Sequence, residues 1–183
     1  LPLTYRPRVE EKARFLALLG LPRGPDGDAY ATAALANLDV ARARMALDEL
    51  ARAHLIQAAA GAGRYSMHDL LRAYAAERAA CVVAPVERDA ALSGLFDHYV
   101  SCAAAAMNTL FPHERRGRPE VPALKTPTPV LDAPDDAASW LDRERANLVA
   151  VAVYAAKHGW PRHSVDLSRI LWRAFEVGGH YQE

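Results

Sequence analysis

Two adjacent residues of this 183-residue sequence have types and a position that suggest chemistry, His68 and Asp69 in the stretch YSMHDLL at 65–71. A helix is predicted to begin there, because a short strand-like segment gives way to an Ala/Leu/Arg run. The N-terminus of a helix presents unpaired N–H groups and partial positive charge, so it attracts anions such as phosphate. A histidine at such an end can donate a ring N–H to a phosphate oxygen. Asp69 in the first turn can accept backbone N–H bonds and hold the turn in shape.

A purely local role explains the same residues. Ser66-x-x-Asp69 resembles a capping box with aspartate in place of the usual Glu or Gln, and His68 is then only a polar residue at the junction. Spacing alone favours this local role over an anion site.

The segments around the motif predict a winged-helix domain over residues 1–83. Apolar residues of helical period predict four helices, at 9–19, 28–37, 40–55 and 69–81. Asp28 and Asp39 stand where the second and third helices need an N-cap. This order of helices, with a hairpin before the fourth, is that of a helix-turn-helix variant.

The hairpin of this domain is predicted as two short strands, 55–56 and 65–67, around Gly61-Ala62-Gly63. The helices beside it are expected to place the following side chains inward: Val40, Ala43, Leu47 and Leu50 in the third helix, and Leu70, Leu71 and Tyr74 in the fourth.

Residues 84–136 are predicted to form a helical linker with a proline-rich loop. One long helix is expected at 86–111, and Pro112 ends it. The loop at 112–136 has no periodicity, and a loop this long is either functional or disordered. Its RRGR segment, Arg115 to Arg118, is interpreted as a solvated charge run, with contact to an acidic partner as the alternative.

Residues 137–183 are predicted to be the truncated start of tetratricopeptide-like helical repeats. Two helices with a short Gly/Pro turn form an αα-hairpin. Together with HYQE at 180–183 they make about one repeat, and such repeats need neighbours to bury a continuous core. The side chains expected inward are Trp140, Leu141, Leu148, Val151 and Ala155 in the first helix, and Val165, Leu171, Trp172 and Phe175 in the second.

Composition excludes several classes of function. Basic and acidic residues cancel, 22 against 22, without the basic excess of a nucleic-acid surface. No G-x-x-x-x-G-K-[ST], G-x-S-x-G or H-E-x-x-H motif occurs, so we expect neither an enzyme nor a metal site in this chain. Cys81 and Cys102 are expected to be buried, reduced thiols, and no apolar run is long enough for a membrane span. A cytoplasmic protein is therefore expected.

Direct DNA binding is the alternative that a winged helix itself suggests, with its third helix in the major groove. The side chains available for DNA contact are Arg42, Arg44 and Arg52 in that helix and Arg64 in the wing. Asp39, Asp48 and Glu49 offset the charge of the helix, whereas phosphate contacts require a basic face. These residues disfavour direct DNA binding.

The ordered segments resemble a known family of regulators. RYSMHDLLRAYAAERA at 64–79 resembles the end of the winged-helix domain in NB-ARC-type ATPases of the STAND class, and Met67-His68-Asp69 matches their MHD motif. FLALLGL at 15–21 and ALDELARAHL at 46–55 resemble the first and third helices of that domain. DHYV at 97–100 and WLDRERANLVA at 140–150 resemble the segment before the repeats in actinobacterial AfsR/SARP-type transcriptional regulators. The resemblance covers nearly the whole chain.

This resemblance implies a switch. His68 would contact the β-phosphate of ADP, with Met67 packed beneath it and Asp69 orienting it, so that the ADP state is closed and exchange for ATP opens it. ADP or ATP with Mg would be bound by an NB-ARC module elsewhere in the parent chain, and further repeats would transmit the signal. DNA would be bound by another domain, and a protein partner by the repeat face; a plain interaction scaffold is a third alternative. We expect no cofactor in this chain itself and no measurable ADP binding to it.

Overall fold

The computed structural model describes residues 5–21, 24–121, 124 and 126–177, and only the backbone of residues 5–9. The chain is mainly helical with one small hairpin, which confirms the mainly α fold class. It divides into two compact units between Leu95 and Phe96, inside one long helix. The predicted boundary near residue 83 stays a prediction. Residues 180–183, predicted to belong to the first repeat, lie outside the described residues.

The first unit consists of four helices, a two-stranded antiparallel hairpin and the first turns of a fifth helix. Its elements are α1 (Tyr5–Leu19), α2 (Ala29–Ala36), α3 (Val40–Arg52), β1 (Gln57–Ala58), β2 (Tyr65–Ser66) and α4 (Asp69–Val82). The two predicted aspartate caps are confirmed. Asp28 accepts from the backbone N–H groups of Tyr30 and Ala31, both at 2.9 Å, and Asp39 accepts from that of Arg42 at 2.8 Å.

The first strand begins two residues later than predicted. His54 adopts the left-handed conformation with φ 58°, and the Leu55 N–H reaches back 3.0 Å to the carbonyl of Leu50. These are the features of a Schellman motif, which satisfies the last carbonyls of a helix. Leu55 and Ile56 therefore close α3, and the ladder pairs Gln57 with Ser66 and Ala58 with Tyr65.

The core of the first unit gathers side chains from all four of its complete helices and from the residues on either side of the hairpin. Its buried members are Phe15, Ala29, Leu47, Leu50, Ile56, Met67 and Ala75. Ala43, Leu47 and Leu50 face inward as predicted, and Val40 is half-buried.

The inward face of α4 differs from the prediction. Leu70 and Tyr74 are 77% and 54% exposed, whereas Ala75 and Ala79 are buried. A Cβ on Gly20, which directly follows α1, would lie 2.5 Å from the backbone nitrogen of Ala76. Because the chain passes so close to α4 there, only small side chains fit on the contact face, and the larger ones point outward.

Gly20→Ala is expected to lower the free energy of unfolding of the first unit by about 1–3 kcal/mol, the usual effect of overpacking. Urea denaturation followed by circular dichroism measures it. Gly27→Ala in the same unit is the control, because a Cβ there meets nothing within 4 Å. Equal stability of the two variants would contradict the close approach.

The second unit is an assembly of helices with an irregular segment between them. Its elements are the later turns of α5 (Pro85–Leu110), a 3₁₀ helix (Pro112–Gly117), α6 (Pro134–Lys157) and α7 (Pro161–Val177). Pro112 ends α5, as predicted, and the hydroxyl of Thr109 ties the irregular segment back by donating to the carbonyl of Leu131 at 2.7 Å.

The α6–α7 pair is an antiparallel hairpin whose inward faces match the prediction only in part. Trp140, Leu148, Val151 and Ala155 of α6 are buried. In α7 the buried residues are Leu167, Ile170 and Leu171, whereas Val165 and Trp172 are 54% and 56% exposed. The expectation that these two residues face inward is wrong, because the contact line of α7 runs through Leu167 and Leu171, one turn apart.

Buried polar groups of α5 and α6 meet inside the second unit. The Glu144 carboxylate accepts from the Asn147 amide at 2.7 Å and from the Tyr99 hydroxyl at 3.4 Å. His98 lies nearby with both ring nitrogens 3.8 Å from the sulfur of Cys102. Cys102 is buried as expected, whereas Cys81 is exposed, so the expectation of a buried thiol is wrong for Cys81. Loss of hydration on burial lowers the pKa of His98 from 6.5 to about 4, although the charge of Glu144 acts in the opposite direction.

This lowered pKa predicts a pH dependence of stability. Between pH 6.5 and about 4 the unfolded chain protonates His98 while the folded chain does not, so the second unit loses stability as the pH falls through that window. The full effect is up to ~3 kcal/mol. All three tryptophans lie in this unit, so their fluorescence reports its urea unfolding.

His98→Gln is expected to flatten that dependence, whereas His113→Gln, at an exposed position, leaves it unchanged. An equal slope in the native chain and in His98→Gln would show that other groups cause it.

Candidate functional site

His68 is itself the N-cap of α4. Its backbone is outside the helix, with φ −59° and ψ 139°, and its Nδ1 accepts from the N–H of Leu70 at 3.3 Å. The interpretation of Ser66-x-x-Asp69 as a capping box is therefore wrong. Ser66 belongs to β2, where it pairs with Gln57, and the helix begins only at Asp69.

The cap determines which ring nitrogen of His68 is available. Because Nδ1 is the acceptor, the neutral ring carries its hydrogen on Nε2. The side chain is exposed, and within the described part of the chain Nε2 has no hydrogen-bond partner. An N–H donor thus stands at the positive end of a helix of 14 residues, an arrangement that suits an anionic oxygen.

Met67 and Asp69, the neighbours of this histidine in the chain, lie in different environments. Met67 is 7% exposed and belongs to the core of the first unit. Asp69 is exposed in the first turn, where a negative charge is favourable to the helix dipole. No hydrogen bond between Asp69 and His68 occurs in the described structure, so no contact supports the expected role of Asp69 in orienting His68. The cap bond orients the ring instead.

Arg72 is a contributor that the sequence reasoning missed. Its guanidinium donates to the carbonyl of Met67 at 3.3 Å, to that of Pro25 at 3.2 Å and to that of Gly24. One side chain therefore ties the turn before α4 to the loop before α2. In the sequence, the only indication of this role is the position of Arg72 one helical turn after His68. Its three acceptors are backbone carbonyls, which every residue carries, so the sequence could not identify them.

Arg64, the residue proposed for the wing of a DNA-binding domain, is engaged inside the first unit. Its side chain is 3% exposed and makes a two-pronged pair with the Asp26 carboxylate, at 3.1 Å from Nε and 2.5 Å from Nη2. Gly27 continues this contact by exchanging two backbone hydrogen bonds of 2.9 Å with Tyr65. Burial in an ion pair is not the environment of a phosphate-contacting arginine.

The outward face of α3 carries charges of both signs. Arg42, Arg44 and Arg52 are exposed. Asp39 lies 3.7 Å from Arg42, and the carbonyl of Asp48 accepts from Arg52 at 3.2 Å. The Asp48 carboxylate accepts from the Tyr65 hydroxyl at 2.5 Å, and this hydrogen bond, together with burial and the negative charge of Asp48, raises the pKa of Tyr65. Acidic groups therefore lie beside the arginines on this face, which disfavours a DNA-reading role.

The described residues hold no group of three or more His, Cys, Asp or Glu side chains arranged to bind a metal ion. None of their helices is both long and apolar enough to cross a membrane.

The chain is similar to one segment of much longer regulators. It is 38% identical to Regulatory protein AfsR of Streptomyces griseus over 173 residues, which is 90% of this chain and 17% of that protein. It is 39% identical to Regulatory protein AfsR of Streptomyces coelicolor, over 96% of this chain and 18% of that protein. The chain thus spans about one-sixth of the length of these curated relatives. No family model and no solved structure matches it.

His68→Ala is expected to destabilise the first unit by about 0.5–2 kcal/mol through loss of the cap. His68→Asn should restore most of that loss, because asparagine is among the best N-caps. Urea denaturation followed by circular dichroism compares the two. If both variants unfold like the native chain, the Nδ1 contact contributes nothing to α4.

Proposed function

We propose that this chain is the regulatory segment of a transcriptional regulator of AfsR type. In this proposal the first unit is a winged helix, and the second contains the start of a tetratricopeptide array. The segment couples the nucleotide state of an NB-ARC module of the STAND class to a sensor array, with ADP favouring the closed state. The similarity to two proteins named as regulatory proteins over at least 90% of the chain supports this assignment.

The observation that carries the proposal is the exposed imidazole of His68 at the N-terminus of α4. Its Nδ1 is held by Leu70, so the ring is oriented by the same helix whose dipole favours an anion. A phosphate oxygen approaching Nε2 would gain one hydrogen bond with an ionised acceptor, which is stronger than a neutral one. The closed state would then depend on how a phosphate group is presented to this face.

The anchoring of the turn allows the histidine to act as a transmitter rather than as an isolated ligand group. Met67, immediately before it, is buried in the core, and Arg72, one turn after it, bonds to three carbonyls. A displacement of the His68 ring on phosphate binding would therefore be transmitted to the core of the first unit and to the loop before α2. We propose Met67 and Arg72 as positioning residues and His68 as the group that touches the nucleotide.

Several parts of this function would reside outside the 183 residues. The sequence has no phosphate-cradling G-x-x-x-x-G-K-[ST], so one histidine is half of a nucleotide site at most. The proposal assigns ADP or ATP with Mg to the NB-ARC module and DNA binding to another domain of the parent protein. The exposed Val165 and Trp172 of α7 support further packing by a following repeat or a protein partner.

His68→Asn in a regulator that contains this chain and its nucleotide-binding module is expected to weaken the ADP-held state. The lost hydrogen bond is worth ~1.5–3 kcal/mol. That energy shifts a two-state equilibrium roughly ten- to a hundredfold toward the open form. The measurements are the ADP that copurifies with the protein and transcription of a reporter.

Asparagine retains the cap, so this variant separates nucleotide sensing from the stability of α4. His113→Asn, at an exposed position of the second unit, serves as the matched control. Unchanged ADP content and unchanged reporter activity in His68→Asn would refute the switch role. Micromolar ADP binding by the 183-residue chain alone, measured by calorimetry, would contradict the proposal that most of the nucleotide site lies in the NB-ARC module.

A further inference from the structure

A groove in the second unit lies between the later turns of α5 and the irregular segment that follows the 3₁₀ helix. Its volume is ≈1020 Å³, at the upper end of the about 300–1,000 Å³ typical of small-molecule sites. One wall is formed by small residues of α5, including Ala104 and Ala105. The opposite wall carries prolines and apolar residues, including Pro119, Val121 and Leu131.

Three arginines of the RRGR segment line this groove, with Glu120 as the acidic residue of the described lining. Arg115 and Arg116 are exposed and form no ion pair with any described residue. The neighbouring Glu114 does not neutralise them, because its carboxylate lies 3.6 Å from Arg118 and 3.5 Å from Arg173. The lining of the groove therefore has an excess of positive charge.

Hydrogen bonds hold the third of these arginines, Arg118, in a fixed position. Its side chain is 7% exposed, and Nη1 donates to the Asn108 amide oxygen at 2.8 Å and to the Phe111 carbonyl at 3.2 Å. Nη2 has no hydrogen-bond partner among the described residues, and neither has the buried hydroxyl of Ser101. Burial lowers the pKa of Arg118, and the charge of Glu114 compensates only in part. The interpretation of RRGR as a solvated charge run is thus wrong for its last residue.

We propose that this groove binds a small amphipathic organic anion. The carboxylate or phosphate group of the ligand pairs with Arg115 and Arg116 above the buried Arg118. The apolar body lies along Ala104 and Ala105 and against the proline-containing wall. Arginine suits this role because its planar guanidinium matches the geometry of carboxylates and phosphates.

The dimensions of the groove favour a small molecule over an acidic peptide. Leu131 lines the groove, and its carbonyl accepts from the Thr109 hydroxyl of α5 at 2.7 Å, so this part of the wall is tied to the helix. The three arginines are clustered within four positions of the chain, which provides one anion site rather than a row of them. The groove belongs to the second unit alone, so ligand binding there does not depend on the role of His68.

The test is a ¹⁵N NMR titration of the 183-residue chain with 4-phenylbutyrate. Saturable shifts of amides at 101–108 and 115–121 are expected, weakened by salt as for any pair of exposed charges. Inorganic phosphate lacks the apolar body and 4-phenyl-1-butanol lacks the charge, so each should bind about tenfold more weakly or worse, a loss of ~1.4 kcal/mol. Tighter binding of a tetraglutamate peptide than of 4-phenylbutyrate would overturn the small-molecule assignment.

Two variants test the two halves of the site. The double variant Arg115→Gln, Arg116→Gln removes exposed charges, and Ala105→Phe fills the space beside α5 at an exposed position. Each is expected to weaken 4-phenylbutyrate binding at least fivefold. Arg162→Gln is the matched control, because its side chain is 80% exposed on α7, outside the lining of the groove. Unaltered affinity in either groove variant, or no saturation by about 10 mM in the native chain, refutes the proposal.

Discussion

The burial of Met67 is the constraint on which the candidate site depends. This side chain lies in the core of the first unit with Phe15, Leu47 and Leu50, and it is the last residue between the hairpin and the cap of α4. Because it is fixed inside, the next residue must emerge at the surface, and there the ring of His68 turns back to accept from Leu70. Nε2 is exposed because Met67 is buried before it and because Nδ1 of the same ring is used to cap α4.

Arginines hold the irregular parts of both units in place. Arg64 pairs with Asp26 beside the hairpin, Arg72 bonds to carbonyls of the loop before α2, and Arg118 bonds to Asn108 and Phe111 at the end of α5. A buried charge is tolerated only when it is paired or hydrogen-bonded, so each of these side chains restricts the backbone around it. The loops beside the N-terminus of α4 and beside the groove of the second unit thereby gain defined positions.

The two surfaces have different physical characters. At α4 one oriented N–H donor and a helix dipole offer a point contact, which suits a phosphate that another module presents. In the second unit the groove offers volume, apolar walls and several guanidinium groups, which suits a free ligand. The two surfaces belong to different compact units, so the residues that form one are not shared with the other.

Local chemistry in the sequence determined the seven α-helices of the described residues, the caps Asp28 and Asp39, the end of α5 at Pro112 and the placement of Met67-His68-Asp69 at a helix start, but not the 3₁₀ helix at Pro112–Gly117. Each of these depends on residues a few positions apart. The tertiary structure alone decided that Leu70, Tyr74, Val165 and Trp172 face outward. It also decided that Arg64 and Arg118 are buried. A helix with apolar residues on more than one side has no unique inward face until a neighbour selects one. In α4 that neighbour was the chain at Gly20, where a near contact of backbones leaves room only for alanine.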